Sequence, residues 1–320
     1  MYKFFLKKVY GGRVDLSIVL DENGLEVNGK ERVGEEVCKF YVELYKEKKR
    51  DARVEKDVLK QVEMCLDLDD KSMLGEKVSK EEVDECLGSM KKGKTPGSDG
   101  LPVEFYCAFW DVIGDCVYEM VMKVLEDGRM PESMLKSVIV LLYKKGDKHE
   151  LKNWRPISLL NVDYKVVAKV LANRLRAVAE KLVGEEQVCA VPGRSIAESL
   201  VSLRDVLWLC KERRQEVAVL AVDFEKAFDR ASHEFMFKVL RRMGIPEVLI
   251  GWIKCLYRGM VSKVLLNGWL TNDISIGSGV RQGCPLSPVL FVCVIEPLLR
   301  MLAKDKCVRG VRFLGVGVGY

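Results

Sequence analysis

A carboxylate ends an apolar run in the second half of the chain. The segment VAVLAVDF (217–224) has the length and composition of a buried strand, and Asp223 closes it. A carboxylate in that place is costly to bury unless it is hydrated, paired or bound to a cation. Two interpretations stay open from these residues alone: a metal-binding aspartate, or an aspartate that caps the turn after the strand.

A second segment, SGVRQGCPLSP (278–288), is called motif B below and precedes an apolar helix predicted over 286–302. Gly279 and Gly283 would let the main chain approach a bound strand or nucleotide closely. The start of the predicted helix would also offer N–H groups without a partner. This combination favours a binding segment over an ordinary glycine turn.

The loop KKGKTPGSDG (91–100) carries three lysines, Lys91, Lys92 and Lys94, among glycines and a proline. Regular structure is excluded there. A loop with a function and an ordinary solvated surface loop are equally compatible with these residues.

The composition limits the classes of protein. Apolar residues make up 48% and charged residues 31%, which indicates a folded core, and the net charge of +5 is too small to indicate a nucleic-acid partner by itself. The cysteines form no CxxC pair and the chain has 2 histidines, so zinc sites of the usual spacing are excluded and reduced thiols are favoured. With no charge-free run of membrane length and no signal-peptide core, we expect no membrane contact and a cytoplasmic or nuclear location.

Six sequence blocks follow one another in order: KTPGSDGLPVEFY (94–106), VIVLLYKKGD (138–147), NWRPISLLN (153–161), QVCAVPGRSI (187–196), AVDFEKAFDR (221–230, called motif A below) and GVRQGCPLSP (279–288). Together they resemble the reverse transcriptase of non-LTR retrotransposons of the long interspersed element type. The resemblance covers nearly the whole chain.

The resemblance implies an RNA-directed DNA polymerase, which extends a DNA primer on an RNA template with deoxynucleoside triphosphates. It implies an α+β fold with the fingers and an incomplete palm of a right-hand polymerase, built on an antiparallel sheet flanked by helices. Phosphoryl transfer of this kind needs charge neutralisation and in-line positioning, and the resemblance implies two Mg²⁺ ions with oxygen ligands for this purpose.

The resemblance also assigns roles to positions. Asp223 matches the first catalytic, metal-binding aspartate, and the main-chain carbonyl of Phe224 is the expected neighbouring ligand. Lys144 and Arg155 match the basic residues that contact the triphosphate, where an arginine can bind in a bidentate manner. Phe228 matches the aromatic ring that excludes ribonucleotides by a clash at the sugar, and simple core packing is its alternative.

Two further sets of residues are assigned to binding. Gln282 and Gly283 would lie against the nucleotide and the template strand. Lys91, Lys92 and Lys94 would contact the template backbone.

Three positions depart from the family pattern. Tyr143 stands where proline is usual, Cys189 and Ala190 stand where Gly-Phe is common, and Arg230 is unusual at its position. None of these removes a catalytic group.

The family's Tyr-x-Asp-Asp turn, which supplies the other metal carboxylates, is expected after motif B. No two acidic residues are adjacent after Asp223, and the pair Asp69-Asp70 lies upstream of every block. We therefore expect a sequence truncated before this turn and inactive alone. The alternatives are a non-catalytic RNA or RNA–DNA binding module, and a decayed transposon fragment without a selected role.

Periodicity and turn signals predict the elements around these residues. Strands are predicted within 13–30, over 137–143, over 217–223 and on both sides of Asn267-Gly268; helices are predicted over 33–45, 78–90, 103–126, 163–182, 235–243 and 246–257. The domains predicted from this order are an N-terminal extension and linker (1–77), a fingers-like region (78–215) and a partial palm (216–320).

Overall fold

The computed structural model describes residues 16–64, 66–307 and 310–311, which form an α+β fold. The strands are β1 (Ile18–Leu20), β2 (Glu26–Asn28), β3 (Lys136–Tyr143), β4 (Trp154–Leu159), β5 (Val261–Leu266), β6 (Trp269–Leu270) and β7 (Ile274–Ser275). The helices are α1 (Lys30–Leu44), α2 (Ala52–Leu59), α3 (Leu68–Gly75), α4 (Lys80–Gly88), α5 (Val103–Ala108), α6 (Trp110–Asp127), α7 (Glu132–Leu135), α8 (Val162–Ala177), α9 (Ala179–Leu182), α10 (Ile196–Glu212), α11 (His233–Arg242), α12 (Glu247–Tyr257) and α13 (Ser287–Lys304).

A five-stranded sheet carries the centre of the fold. Its strands lie in the order β4-β3-β5-β6, and β7 pairs with β5. The expected antiparallel pairing is confirmed for β3 with β4, β5 with β6 and β5 with β7, whereas β3 and β5 run parallel. The middle of β3 is buried from Ser137 to Leu141, as expected for a central strand.

Helix α8 is buried along most of its length and anchors the segment that precedes α4. Its Arg174 is 6% exposed and donates to both carboxylate oxygens of Glu82 at 2.8 Å. The same guanidinium also donates to the main-chain carbonyls of Leu74, Glu76 and Lys77. A buried arginine is tolerated when its donors are satisfied in this way.

Ser79 caps the start of helix α4. The Ser79 hydroxyl accepts from the Glu82 main-chain N–H, and the Glu82 carboxylate accepts from the Ser79 N–H, which is a capping box. The upstream acidic pair has a similar role, since Asp70 forms a capping box with Asp67 at the start of α3 and also pairs with Lys181.

Most predicted elements are confirmed within one to three residues of their expected ends. The helix predicted over 103–126 is divided at Phe109 into α5 and α6, and the helix predicted over 163–182 is divided at Val178 into α8 and α9. The Asn267-Gly268 turn has both residues at positive φ, 43° and 89°, as a two-residue hairpin requires. Residues 13–15 of the first predicted strand lie outside the described residues, and the division into three domains stays a prediction.

The strand predicted over 217–223 is wrong. Residues 215–224 have no regular structure, Asp223 is exposed, and Leu220 is 86% exposed. A strand is stable when neighbouring strands take up its N–H and C=O groups, and none of the strands in the described part of the chain pairs with this segment. The preceding helix α10 has Cys210 as its buried residue and also exposes apolar side chains.

The apolar helix predicted after motif B is α13, and it carries a buried charge pair. Glu296 is 1% exposed, lies 2.7 Å from the Arg300 guanidinium and accepts from the Gly184 N–H. Across residues 16–64, 66–307 and 310–311, no helix has the length and apolar character needed to cross a bilayer.

Motif B runs beside the turn of motif A. The Gly279 N–H donates to the Ala231 carbonyl at 2.6 Å, and the Val280 N–H donates to the Phe228 carbonyl at 2.7 Å. Gly279 has a φ of +88°, and a Cβ atom there would lie 2.6 Å from the carbonyl oxygen of Asp229. Only glycine fits this position without moving the main chain of motif A.

Motif B is bonded to β4 on its other side. The Ser158 N–H donates to the Gln282 carbonyl at 2.8 Å. Gly283 has a φ of +121°, and a Cβ atom there would lie 2.5 Å from the Ser158 carbonyl oxygen. Motif B therefore joins motif A to the sheet.

We predict that Gly279→Ala lowers the free energy of unfolding by about 2 to 4 kcal/mol, because the methyl group meets main-chain atoms at a strained φ. Gly251→Ala is the matched control, since Gly251 lies inside α12 with open space around its Cα. There we expect a gain of about 0.5 to 1 kcal/mol. Urea unfolding of both variants measures the difference, and equal stabilities would contradict the close contact of motif B with motif A.

Candidate active site

An open cavity of about 600 Å³ lies between β4, motif A and motif B, and it is called the candidate cavity below. Its lining brings together residues that are far apart in the sequence. Those that the sequence analysis singled out are Lys144, Arg155, Asp223, Phe224, Phe228 and Gln282.

The β3–β4 hairpin supplies the basic side of the candidate cavity. Arg155 lies on β4 opposite Leu142 of β3, and Lys144 follows directly after β3. The Lys144 N–H donates to the Asn153 carbonyl at 3.0 Å, which holds the hairpin end closed. Both basic side chains are exposed to the cavity and to solvent, so an anion can reach them.

Motif A supplies the opposite side through a tight turn. Asp223 and Phe224 lead into it, and Lys226 stands in the left-handed region with a φ of +53°. The Lys226 ammonium donates to the Trp154 carbonyl at 2.7 Å, which ties the turn to the start of β4. Burial lowers the pKa of Lys226, and the nearby Asp229 opposes this effect.

Phe228 is held between the candidate cavity and the core. Its ring stacks on Phe291 of α13 with centroids 4.6 Å apart and an interplanar angle of 19°. The residue is half-buried and packs against the core while it also lines the cavity. The Phe228 side chain therefore packs in the core and also forms part of the cavity wall.

Asp229 is a site residue that the sequence analysis missed. It is 2% exposed, and both of its carboxylate oxygens lie 3.1 Å from Gln282 Nε2, which donates to them. Burial raises the pKa of Asp229 to about 6, although the Gln282 hydrogen bond and the charge of Lys226 act in the opposite direction. The available signal was a second aspartate within motif A.

Tyr45 was missed as well, and it comes from the N-terminal part of the chain. Its carbonyl accepts from the Gly277 N–H at 3.0 Å, just before motif B. Burial has the largest effect on the pKa of Asp229 and raises it, whereas the neighbouring Tyr45 hydroxyl lowers it. Burial and the charge of Asp229 raise the pKa of Tyr45 well above its ordinary value.

Two groups of predicted residues do not line the candidate cavity. Lys91, Lys92 and Lys94 are exposed on the loop between α4 and α5. Gly283 contacts Ser158, so the close approach that its lack of a side chain permits is an approach to β4.

The departures from the family pattern have local partners. The Tyr143 ring lies against Trp154 with centroids 5.3 Å apart, and its hydroxyl donates to the Gly146 carbonyl. Arg230 pairs with Glu225 at 3.0 Å. These contacts stabilise the hairpin and the motif A turn.

Among the described residues, no group of three or more His, Cys, Asp or Glu side chains could hold a metal ion. The candidate cavity therefore offers few protein ligands for a metal. Asp223 offers an exposed carboxylate beside the main chain of Phe224. Mg²⁺ commonly binds one or two carboxylates together with substrate phosphates. The lining therefore fits an ion that arrives with a triphosphate better than an ion held by protein alone.

A family model and the similar proteins found by comparison point to the same family. Residues 143–314, just over half of the chain and including every residue that lines the candidate cavity, match the model for reverse transcriptase (RNA-dependent DNA polymerase). The Transposon TX1 uncharacterized 149 kDa protein of Xenopus laevis is 33% identical over 307 residues, which are 94% of this chain and 23% of that protein.

Two further relatives have informative names. The Pol polyprotein from the type-1 retrotransposable element R2 of Popillia japonica is 30% identical over 73% of this chain and 32% of its own length. The RNA-directed DNA polymerase from mobile element jockey of Drosophila funebris is 25% identical over 67% of this chain and 24% of its own length. The chain spans 23% to 32% of the length of these relatives. It belongs to the reverse transcriptase family, in the group found in non-LTR retrotransposons.

Proposed function

We propose that the candidate cavity is the nucleotide-binding part of a reverse transcriptase active site, where a DNA primer is extended on an RNA template. The observation that carries the proposal is the convergence of a basic side, an exposed carboxylate and an aromatic wall in one cavity. The residues concerned are Lys144, Arg155, Asp223 and Phe228.

Lys144 and Arg155 are proposed to bind the triphosphate of the incoming deoxynucleotide. A triphosphate carries several negative charges, and the leaving pyrophosphate needs neutralisation as the bond to the α-phosphorus breaks. Both side chains line the same cavity, Arg155 from β4 opposite Leu142 and Lys144 from directly after β3. Both residues are exposed, so the guanidinium and ammonium groups are available for phosphate.

Asp223 and the Phe224 carbonyl are proposed to hold Mg²⁺ together with the triphosphate oxygens. Bound there, the metal would neutralise phosphate charge and orient the reacting groups, and a pair of ions is proposed from the family. Asp223 stands at the mouth of the motif A turn, opposite the basic hairpin. The carboxylate can therefore meet an ion that arrives with the nucleotide.

Phe228 and Gln282 are proposed to contact the sugar side of the nucleotide. The Phe228 ring is backed by Phe291, so it cannot retreat from a ribose hydroxyl without disturbing α13. Lys91, Lys92 and Lys94 are proposed to contact the template backbone from outside the cavity, where their exposure favours salt-dependent binding.

We predict that Arg155→Ala weakens binding of Mg²⁺–dTTP by roughly 10- to 100-fold, because a charge-assisted hydrogen bond to phosphate is lost. Isothermal titration of the chain measures the affinity. Arg204→Ala is the matched control, since Arg204 is exposed on α10 and pairs with Asp205. Equal affinities in wild type and Arg155→Ala would contradict the proposed triphosphate contact.

A non-catalytic RNA or RNA–DNA binding module is the second candidate. The observation that favours it is the small set of metal ligands among the residues described. Both candidates predict that an RNA–DNA duplex binds with a steep salt dependence. Only the proposed active site predicts that deoxynucleotide binds as well.

We expect primer extension on an RNA template with Mg²⁺ to be weak or absent in this chain alone, because the described residues offer few carboxylates for two ions. Gel analysis of an extended DNA primer, with Asp223→Ala as comparison, measures it. Robust synthesis that Asp223→Ala abolishes would contradict this expectation. Absence of RNA binding at low salt would contradict both candidates.

A further inference from the structure

We propose that Asp229 is a positioning residue that acts on the bound nucleotide through Gln282, by fixing the direction of the Gln282 side-chain amide. The inference rests on the proposed function of the candidate cavity. It goes beyond that function because it assigns a role to a buried carboxylate outside the triphosphate and metal contacts.

The hydrogen bonds define the direction of the amide. Gln282 Nε2 lies 3.1 Å from each oxygen of the Asp229 carboxylate. An ionised carboxylate only accepts hydrogen bonds, so the NH₂ end of the amide must face it. The carbonyl Oε1 is then the end of the amide left for a ligand in the candidate cavity, which Gln282 lines.

Asp229 is itself held from several elements, which makes it a fixed reference for the amide. Its N–H donates to the Lys226 carbonyl at 2.9 Å within the motif A turn. Its carbonyl accepts from the Ser278 hydroxyl of motif B, and its carboxylate faces Tyr45, which follows α1. A group fixed on three sides can hold a neighbouring side chain in one rotamer.

The protonation state of Asp229 decides which end of the amide it prefers. The titratable and charged groups that face it are Tyr41 on α1, Tyr45 directly after α1, Lys226 from its own turn and Arg155 from β4. The uncharged Gln282 of motif B faces it as well. Burial raises the pKa of Asp229 to about 6. Above this pH the carboxylate accepts from Nε2; below it, the protonated carboxyl can donate to Oε1 and release the amide to turn.

The test compares Asp229→Asn with wild type in the full chain, using titration calorimetry with Mg²⁺–dTTP at pH 7.5 and pH 5. We expect about tenfold weaker binding of the variant at pH 7.5, since loss of the charged acceptor lets the amide turn. Protonation of the triphosphate towards pH 5 weakens binding to both proteins, so we also expect the wild-type affinity to fall more than the variant affinity over this range. Asp127→Asn, which removes an exposed acid paired with Lys123 on α6, is the matched control.

A readout that does not need nucleotide is the ¹⁵N side-chain amide resonance of Gln282, assigned by its loss in Gln282→Glu. We expect this resonance to shift with pH with a midpoint near 6 in wild type and to show no such midpoint in Asp229→Asn. A wild-type protein that shows this midpoint but binds no dTTP would contradict the proposed function and still support the positioning of the Gln282 amide by Asp229. Unchanged dTTP affinity together with an unchanged resonance in Asp229→Asn would overturn the positioning role.

Discussion

The main chain of motif B is hydrogen-bonded to motif A on one side and to β4 on the other, and the arrangement of the whole site depends on this three-segment contact. Gly279 permits it on the motif A side and Gly283 permits it on the β4 side, since a Cβ atom at either position would meet main-chain oxygen. Motif B is bonded both to the basic β3–β4 hairpin and to motif A. It therefore holds the basic side chains and the motif A carboxylate at a fixed separation. The two glycines therefore serve contacts within the protein.

The buried carboxyl of Asp229, next to the contact of these three segments, lowers the stability of the fold at neutral pH. The pKa of Asp229 is raised in the folded state, so the folded protein binds the proton more tightly than the unfolded chain does. Its contribution to stability is greatest at low pH and declines as the pH rises from about 4 through 6. A group that is unfavourable at neutral pH, yet hydrogen-bonded to Gln282, is typical of a site where function sets the residue type.

Much of this structure was predictable from the sequence, for identifiable reasons. Periodic helices, the Ser79 cap and the Asn267-Gly268 turn depend on neighbours within a few positions, so local patterns suffice. The order of the sequence blocks indicated the family and the residues that meet in the cavity. The strand over 217–223 was predicted wrongly because an apolar run indicates propensity, whereas a strand needs partners. Asp229 was missed because its burial depends on residues far away in the sequence.

Amide hydrogen exchange tests most directly whether motif A, motif B and β4 form one rigid unit. The donors to follow are the N–H groups of Gly279, Val280 and Ser158, which bond across the three segments. We predict that they exchange slowly and together, while the exposed residues 216–224, which have no regular structure, exchange rapidly. Exchange of these three amides as fast as that of residues 216–224 would contradict the rigid contact.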